Sequence, residues 1–360
     1  MDSSASPSLP DRTPVAVLGA TGMVGQRLVE RLARHPWFAL TEVVGSDRSA
    51  GRSYAEAAEW LVSPDPPPEA VSLPVLPAGS ALRSRLVFSA LSSAAAAELE
   101  PEYAGRGHLV VSNASRFRMH PDVPLLVPEI NPDAVELLSR QQWAAAGGGI
   151  VCNPNCVVTG LALALAPLHR TFGVEAVLVT TFQALSGAGY PGVPSLAATA
   201  NVVPFIAGEE EKIESEPLKI LDADFPISAA AHRVPVVDGH LAAVSVRLRD
   251  RASLAAVSEA LTGFRGEPQD RRLPTAPERP LEVLTAADAP QPRRDVERGG
   301  GMTVSIGRLR ADPVLDLRFV LLVHNTVRGA AGAALLNAEL LAARGLLRNP
   351  TPLPTAEATP

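Results

Sequence analysis

The tetrapeptide Asn153-Pro154-Asn155-Cys156 stands directly before an apolar stretch, residues 157–172, whose length and composition predict a long helix. A cysteine at a helix start meets free amide groups and the positive end of the dipole. These stabilise the thiolate, lower its pKa and make it a nucleophile. A lone cysteine is more often an inert core residue, but the two asparagines and the helix start set Cys156 apart. Cys152, the other cysteine of the chain, lacks that position and is expected to pack at a strand end.

A sulfur nucleophile needs a proton partner. Of the seven histidines, His35, His108, His120 and His169 fall at helix ends or in loops, whereas His232 and His240 frame the segment Arg233-Val-Pro-Val-Val-Asp-Gly-His240. If the chain runs extended from Arg233, both ends of this segment line one cleft. Arg233 would then bind a carboxylate while His240 exchanges a proton with the sulfur adduct.

A second constellation, Gly19-Ala-Thr21-Gly22-Met23-Val24-Gly25, follows a short apolar run and opens a helix over 25–35. Glycines there let the backbone turn tightly and approach a pyrophosphate, whose charge rests on the helix N-terminus. After the next strand, 41–46, an NAD enzyme would place an acidic residue on the ribose. Asp47 is present, but Ser46, Arg48, Ser49 and Arg52 surround it with hydroxyls and guanidinium groups suited to a 2′-phosphate. NADP(H) is therefore expected over NAD.

The elements that must position these groups alternate at first. Strands at 15–19, 41–46, 86–91 and 108–113 interleave with helices and read as a doubly wound nucleotide-binding sheet. After Cys156 the pattern changes to β-branched or alternating runs at 176–185, 234–248, 300–310 and 315–325, as in a mostly antiparallel sheet with one face on helices. The fold class is thus α/β: a Rossmann-type NADP-binding domain plus an inserted α+β domain. The expected boundaries are 14–155 and 325–348 for the first and 156–324 for the second, with tails at 1–13 and 349–360.

At 360 residues, 46% hydrophobic, the chain can bury two cores. With 32 basic against 38 acidic residues and a net charge of −6, it has no footprint for nucleic acid. Two cysteines are too few for a disulfide framework or a structural zinc site, no metal is expected, and no stretch is long and apolar enough to span a membrane. A reducing, cytoplasmic setting fits these features.

Together GATGMVG, VCNPNC, FQALSGAGYPG, GEEEKI and RVPVVDGH resemble the aspartate-β-semialdehyde dehydrogenase family, in the branch typical of archaea and fungi, and the resemblance runs from about residue 14 to 347. It implies NADPH-dependent, reversible reductive dephosphorylation of L-4-aspartyl phosphate to L-aspartate 4-semialdehyde, on the route to lysine, threonine and methionine. It implies a homo-oligomer in which the inserted domain carries catalysis and dimerisation, with the C-terminal helix completing the Rossmann domain. Carried over by position, Cys156 is the nucleophile, His240 the general acid/base, and Gln183 the residue that orients the acyl intermediate. Arg233 holds the substrate carboxylate and Glu209 its amino group, while Arg118, Asn155 and Lys212 bind phosphate. The cofactor set becomes Gly19, Thr21, Gly22, Met23, Val24, Ser46, Arg48, Ser49, Ser89, Leu91, Ser186, Gly187 and Asn325. Cys152 departs from the family, which usually has serine or threonine there. Two rivals share parts of this logic: a malonyl-CoA reductase on the same scaffold, which has no use for an amino-group site, and a non-catalytic NADP-binding protein, which would not need Cys156 or His240.

Overall fold

The computed structural model describes residues 12–62 and 65–347, and its contacts divide the chain into two compact units. Most of the expected tails, 1–11 and 348–360, lies outside the described residues. Thr13 is a correction to the first of them, because it opens a strand and its N–H donates to the Trp37 carbonyl at 2.8 Å.

Among the described residues the first unit comprises 12–62, 65–124, 133–153 and 337–347. Six strands, β1 (Thr13–Leu18), β2 (Phe38–Val44), β3 (Val75–Leu76), β4 (Leu86–Ser89), β5 (Leu109–Ser112) and β6 (Gly149–Cys152), form a parallel sheet in the order β3-β2-β1-β4-β5-β6. The apolar runs are continuous rather than alternating because a parallel sheet is covered on both faces, and Val15 to Leu18 are fully buried. Helices α1 (Met23–Ala33) and α2 (Ser93–Gly105) belong to this unit, α1 burying Leu28, Val29 and Leu32 along one stripe. In its C-terminal segment Glu339 pairs with His35 at 2.7 Å and Asn337 donates to Asn153 at 2.6 Å.

The second unit comprises 125–132 and 154–336. Its strands are β7 (Val174–Gln183), β8 (Ile227–Arg233), β9 (His240–Leu248), β10 (Leu281–Val283), β11 (Val304–Ala311) and β12 (Leu317–Val323), in the order β10-β11-β12-β9-β7-β8. Three of the five pairings are antiparallel. The inner face packs on α3 (Cys156–Phe172), in which every residue from Val157 to Leu168 is buried. Gly160 allows the close approach, since a Cβ there would lie 2.9 Å from that of Val323. Helices α4 (Glu209–Leu221) and α5 (Leu254–Gly263) complete the unit, and a π-turn at Val327–Ala331 leads into α6 (Gly332–Ala343).

One expectation is corrected here. Residues 234–248 are not one extended run: β8 ends at Arg233, Pro235 has no N–H to extend it, and the chain loops back to start β9 at His240, with Gly239 at φ +97°. The contact division falls at 153/154 and 336/337 and puts 125–132 with the second unit, beside the expected boundaries of 155/156 and 324/325. The reason lies in the π-turn and the start of α6, which pack within the second unit: Gly329 lies against Cys156 and Gly332 against Met302.

Candidate active site

Cys156 is the first residue of α3, and Asn155 caps that helix by accepting the Val157 N–H on its side-chain oxygen. Such a cap is worth about 1 kcal/mol, and it also presents the sulfur at the amide-rich end of the helix. The π-turn packs against the backbone of Cys156: a Cβ on Gly329 would fall 2.6–2.8 Å from the O, Cα and Cβ of Cys156, so only glycine fits.

His240 Nε2 lies 3.2 Å from the Cys156 sulfur. The imidazole is fully buried, and its Nδ1 accepts the main-chain N–H of Ala184 at 3.0 Å. Burial, with the Arg233 cation beside it, pulls its pKa down to about 3 against the opposing charge of Glu209, so it is neutral at physiological pH. Gly187 closes over the ring: a Cβ there would stand 3.0 Å from Cε1 and Nε2.

Glu209, at the start of α4, is a hub. Its carboxylate accepts from Asn155 Nδ2 at 2.9 and 3.0 Å, from Gln183 Nε2 at 3.1 Å and from Lys212 Nζ at 2.9 Å. Burial raises its pKa. The hydrogen bond and charge of Lys212, then the two amides, outweigh burial and hold it below the ordinary carboxylate range. One turn of α4 separates Glu209 from Lys212 and two turns separate it from Glu216, whose buried carboxylate accepts the Asn155 N–H at 2.6 Å. Arg233, at the end of β8, donates to the Ala184 carbonyl at 2.7 Å. It sits level with Gln183 of β7, while His240 opens β9 on the other side of that strand.

The second unit thus brings together Cys156, His240, Gln183, Asn155, Glu209, Lys212 and Arg233. Ser186, Gly187 and Asn325 join them: Asn325 donates to the Ser186 hydroxyl at 2.7 Å and accepts the Gly239 N–H at 2.8 Å, beside His240. The remaining expected residues lie in the first unit. Arg118 is buried and donates to the Asn113 carbonyl at 2.8 Å. Gly19, Thr21, Gly22, Met23 and Val24 form the turn from β1 into α1, Ser46, Arg48 and Ser49 the turn after β2, and Ser89 and Leu91 the end of β4. The Ser89 side chain is buried toward Glu100, whose pKa burial pushes up to about 7 against the hydrogen bonds of Ser112 and Ser89 and the charge of Arg118.

These first-unit residues fit a dinucleotide. Neither a side-chain cap nor an acidic residue occupies the first turn of α1. A Cβ on Gly25 would collide with Gly19 O at 2.2 Å, and Gly19 has φ +69°. The glycines therefore keep the turn tight and its amides open to an anion, and exposed Arg48 stands on the adjacent strand's turn.

Sequence reasoning missed Ala184, Glu216 and Gly329. For Glu216 a signal exists, since it follows Glu209 by seven residues and so shares its helical face. Ala184 acts through its main chain, which leaves no mark on residue type.

A Rossmann sheet, with a cysteine as the first residue of a capped helix and a histidine on its sulfur, is the arrangement of a thiol-dependent dehydrogenase. The comparisons give the same class: the family models for the semialdehyde dehydrogenase NAD-binding domain and dimerisation domain match residues 14–138 and 165–328. The chain is 48% identical over 342 residues to aspartate-semialdehyde dehydrogenase of Archaeoglobus fulgidus, covering 92% of this chain and 98% of that one. It is 43% identical to the Aspergillus fumigatus enzyme over 92% of this chain and 97% of that one. The crystal structure of the Candida albicans enzyme with NADP superposes with a TM-score of 0.85 at 36% identity, covering 93% of this chain and 99% of that chain. Aspartate semialdehyde dehydrogenase II of Vibrio cholerae, complexed with ASA, gives 0.76 at 27%, covering 92% and 98%. The chain belongs to the aspartate-semialdehyde dehydrogenase family.

Proposed function

We propose that this chain catalyses the reversible, NADP(H)-dependent reductive dephosphorylation of L-4-aspartyl phosphate to L-aspartate 4-semialdehyde through a thioester on Cys156. The observation that carries this reading is the 3.2 Å contact of Cys156 with His240 at the head of α3, beside the Glu209 hub. A nucleophile next to a fixed carboxylate and a fixed guanidinium suits a substrate with both an ammonium and a carboxylate. The names of its relatives, and the ligands in the Candida and Vibrio structures, support the same reaction.

The Cys156 thiolate attacks the acyl carbon, the bond to the phosphate oxygen breaks, and inorganic phosphate leaves. Lys212 offers its charge to the departing phosphate while Asn155 keeps the helix start in place, and Arg118 is assigned to phosphate as well. Arg233 takes the α-carboxylate, Glu209 the ammonium, and Gln183 orients the acyl group. When bound, NADPH supplies the hydride that reduces the thioester. The turns at Gly19–Val24 and Ser46–Ser49, with Ser89, Leu91, Ser186, Gly187 and Asn325, are the residues that would hold it. The product feeds lysine, threonine and methionine synthesis, and a free thiol nucleophile suits the reducing cytoplasm.

A second copy of the chain is the proposed partner. The strand residues Leu178 and Phe182 turn away from α3 and remain 48% and 37% exposed in the region that the dimerisation-domain model matches.

The test is turnover of purified protein with aspartate semialdehyde, phosphate and NADP, set beside malonyl-CoA with NADPH. Reduction of NADP in the first mixture is the expected result. Turnover of malonyl-CoA alone would replace the reading by the acyl-CoA reductase, and activity in neither would leave a non-catalytic NADP-binding protein.

A further inference from the structure

A main-chain N–H can only donate. The Ala184 N–H on His240 Nδ1, at 3.0 Å, therefore requires a lone pair on Nδ1, and a neutral imidazole then carries its proton on Nε2, 3.2 Å from the Cys156 sulfur. His35 obeys the same rule elsewhere in the chain: the N–H groups of Trp37 and Phe38 point at its Nδ1, and its Nε2 meets the Glu339 carboxylate. We infer that the Ala184 peptide is a positioning group for the reaction, fixing the tautomer of His240 so that its Nε2–H is presented to Cys156 and to the oxygen of its adducts.

The groups facing His240 agree. Arg233 from β8 and His324 beyond β12 oppose a positive imidazole, Glu209 from α4 favours one, and burial outweighs the carboxylate, leaving the ring at about 3. Accepting a proton at Nδ1 would set N–H against N–H, so the Ala184 amide blocks the second protonation site sterically as well as electrostatically. The carbonyl of the same residue holds the Arg233 guanidinium at 2.7 Å. Residue 184 thus sets both the tautomer of the histidine and the place of the arginine.

The chemistry balances without proton transfer to or from His240. The cycle begins from the Cys156 thiolate, the form that a helix start stabilises. Thiolate attack forms the C–S bond, breaks the C–O bond and releases inorganic phosphate. Bound NADPH would supply the hydride, and the thioester carbon, still bonded to sulfur, would then carry the oxyanion. Its C–S bond then breaks, giving aldehyde and the thiolate that began the cycle. Nε2–H donates to the oxyanion and afterwards to the departing sulfur, which is the geometry of preorganised transition-state stabilisation. This catalytic consequence rests on the function proposed above, whereas the tautomer does not.

The experiment is 15N NMR of the full-length protein labelled at histidine, with the His240 signals assigned by their loss in His240→Gln. The expected result is a pyridine-type Nδ1 and a pyrrole-type Nε2 that do not titrate between pH 5 and 9. A protonated Nδ1, or an imidazolium appearing near the ordinary histidine value of about 6.5, overturns the proposal. A second measurement replaces Ala184 by lactic acid through nonsense suppression, which removes the N–H and keeps the carbonyl that holds Arg233. In this ester variant His240 is expected to titrate, a new ionisation to enter the pH profile of kcat/KM, and kcat/KM at pH 8 to fall on the order of tenfold, the scale of one well-aligned donor, with the KM for aspartate semialdehyde nearly unchanged. A wild-type pH profile in the ester variant overturns it. The NMR result stands even if aspartate semialdehyde is not the substrate, so failure of this inference and failure of the functional reading are separately visible.

Discussion

Cys156 is partly open to solvent, whereas Cys152 ends β6 with no exposed surface. A native protein should therefore show one fast-reacting thiol toward an alkylating reagent and a second only after denaturation. Cys156→Ala should abolish turnover and the fast reaction together, and Cys152→Ser should keep most of both; equal losses would move the nucleophile. At Arg48 the question is the cofactor. A charge-assisted contact to a 2′-phosphate is worth about 1.5–3 kcal/mol, so Arg48→Ala should lower kcat/KM with NADP by roughly ten- to a hundredfold and scarcely change it with NAD. A wild type that prefers NAD would dismantle the phosphate pocket drawn around 46–52.

Among the elements, the π-turn at 327–331 has the tightest tie to the chemistry, because Gly329 leaves no room beside Cys156. Gly329→Ala should push the head of α3 away from His240, lowering kcat by at least about tenfold and costing about 1–3 kcal/mol of stability, read by urea unfolding. Unchanged kcat would mean the turn yields freely. None of this was legible in sequence, where 329 stood only at the small-residue start of the final helix. The helix carrying Cys156 was legible, since an unbroken apolar stretch behind a polar tetrapeptide has few other readings. The loop at Val234–Gly239 was not: its valines alternate as a strand does, and only Pro235 and Gly239 marked it as a return. Arg233 and His240 reach one site all the same, because β7 lies between their strands and ends at Gln183. The hub at Glu209 was legible in part, by resemblance; the hydrogen bonds its carboxylate accepts from Gln183 and Asn155 join residues 26 and 54 positions away and required the fold.

For the whole molecule, the outward face of β7 makes self-association a matter of exposed apolar surface. Replacing Leu178 and Phe182 together by Glu should shift the protein toward monomer in light scattering after gel filtration, and an unchanged mass would place the interface elsewhere. Stability against pH carries a second signature. Folded Glu100 keeps its proton to about pH 7, while in the unfolded chain it is lost near the ordinary value of about 4.3. Between these values the folded state binds more protons, so this contribution is complete at acid pH and disappears as pH rises through about 7. Glutamine cannot ionise, and Glu100→Gln should shrink the loss of Tm between pH 5 and 8; an identical loss in both proteins would remove Glu100 from the balance.

One face of α4 carries Glu209, Lys212 and Glu216, so a single 13-residue segment holds both the charges proposed to recognise substrate and the contact that steadies the turn before Cys156. For an engineer this makes α4 a cartridge. Libraries confined to positions 209 and 212, with Glu216 retained, would retune which acyl phosphates are accepted while the sulfur and its histidine, built on other elements, stay as they are.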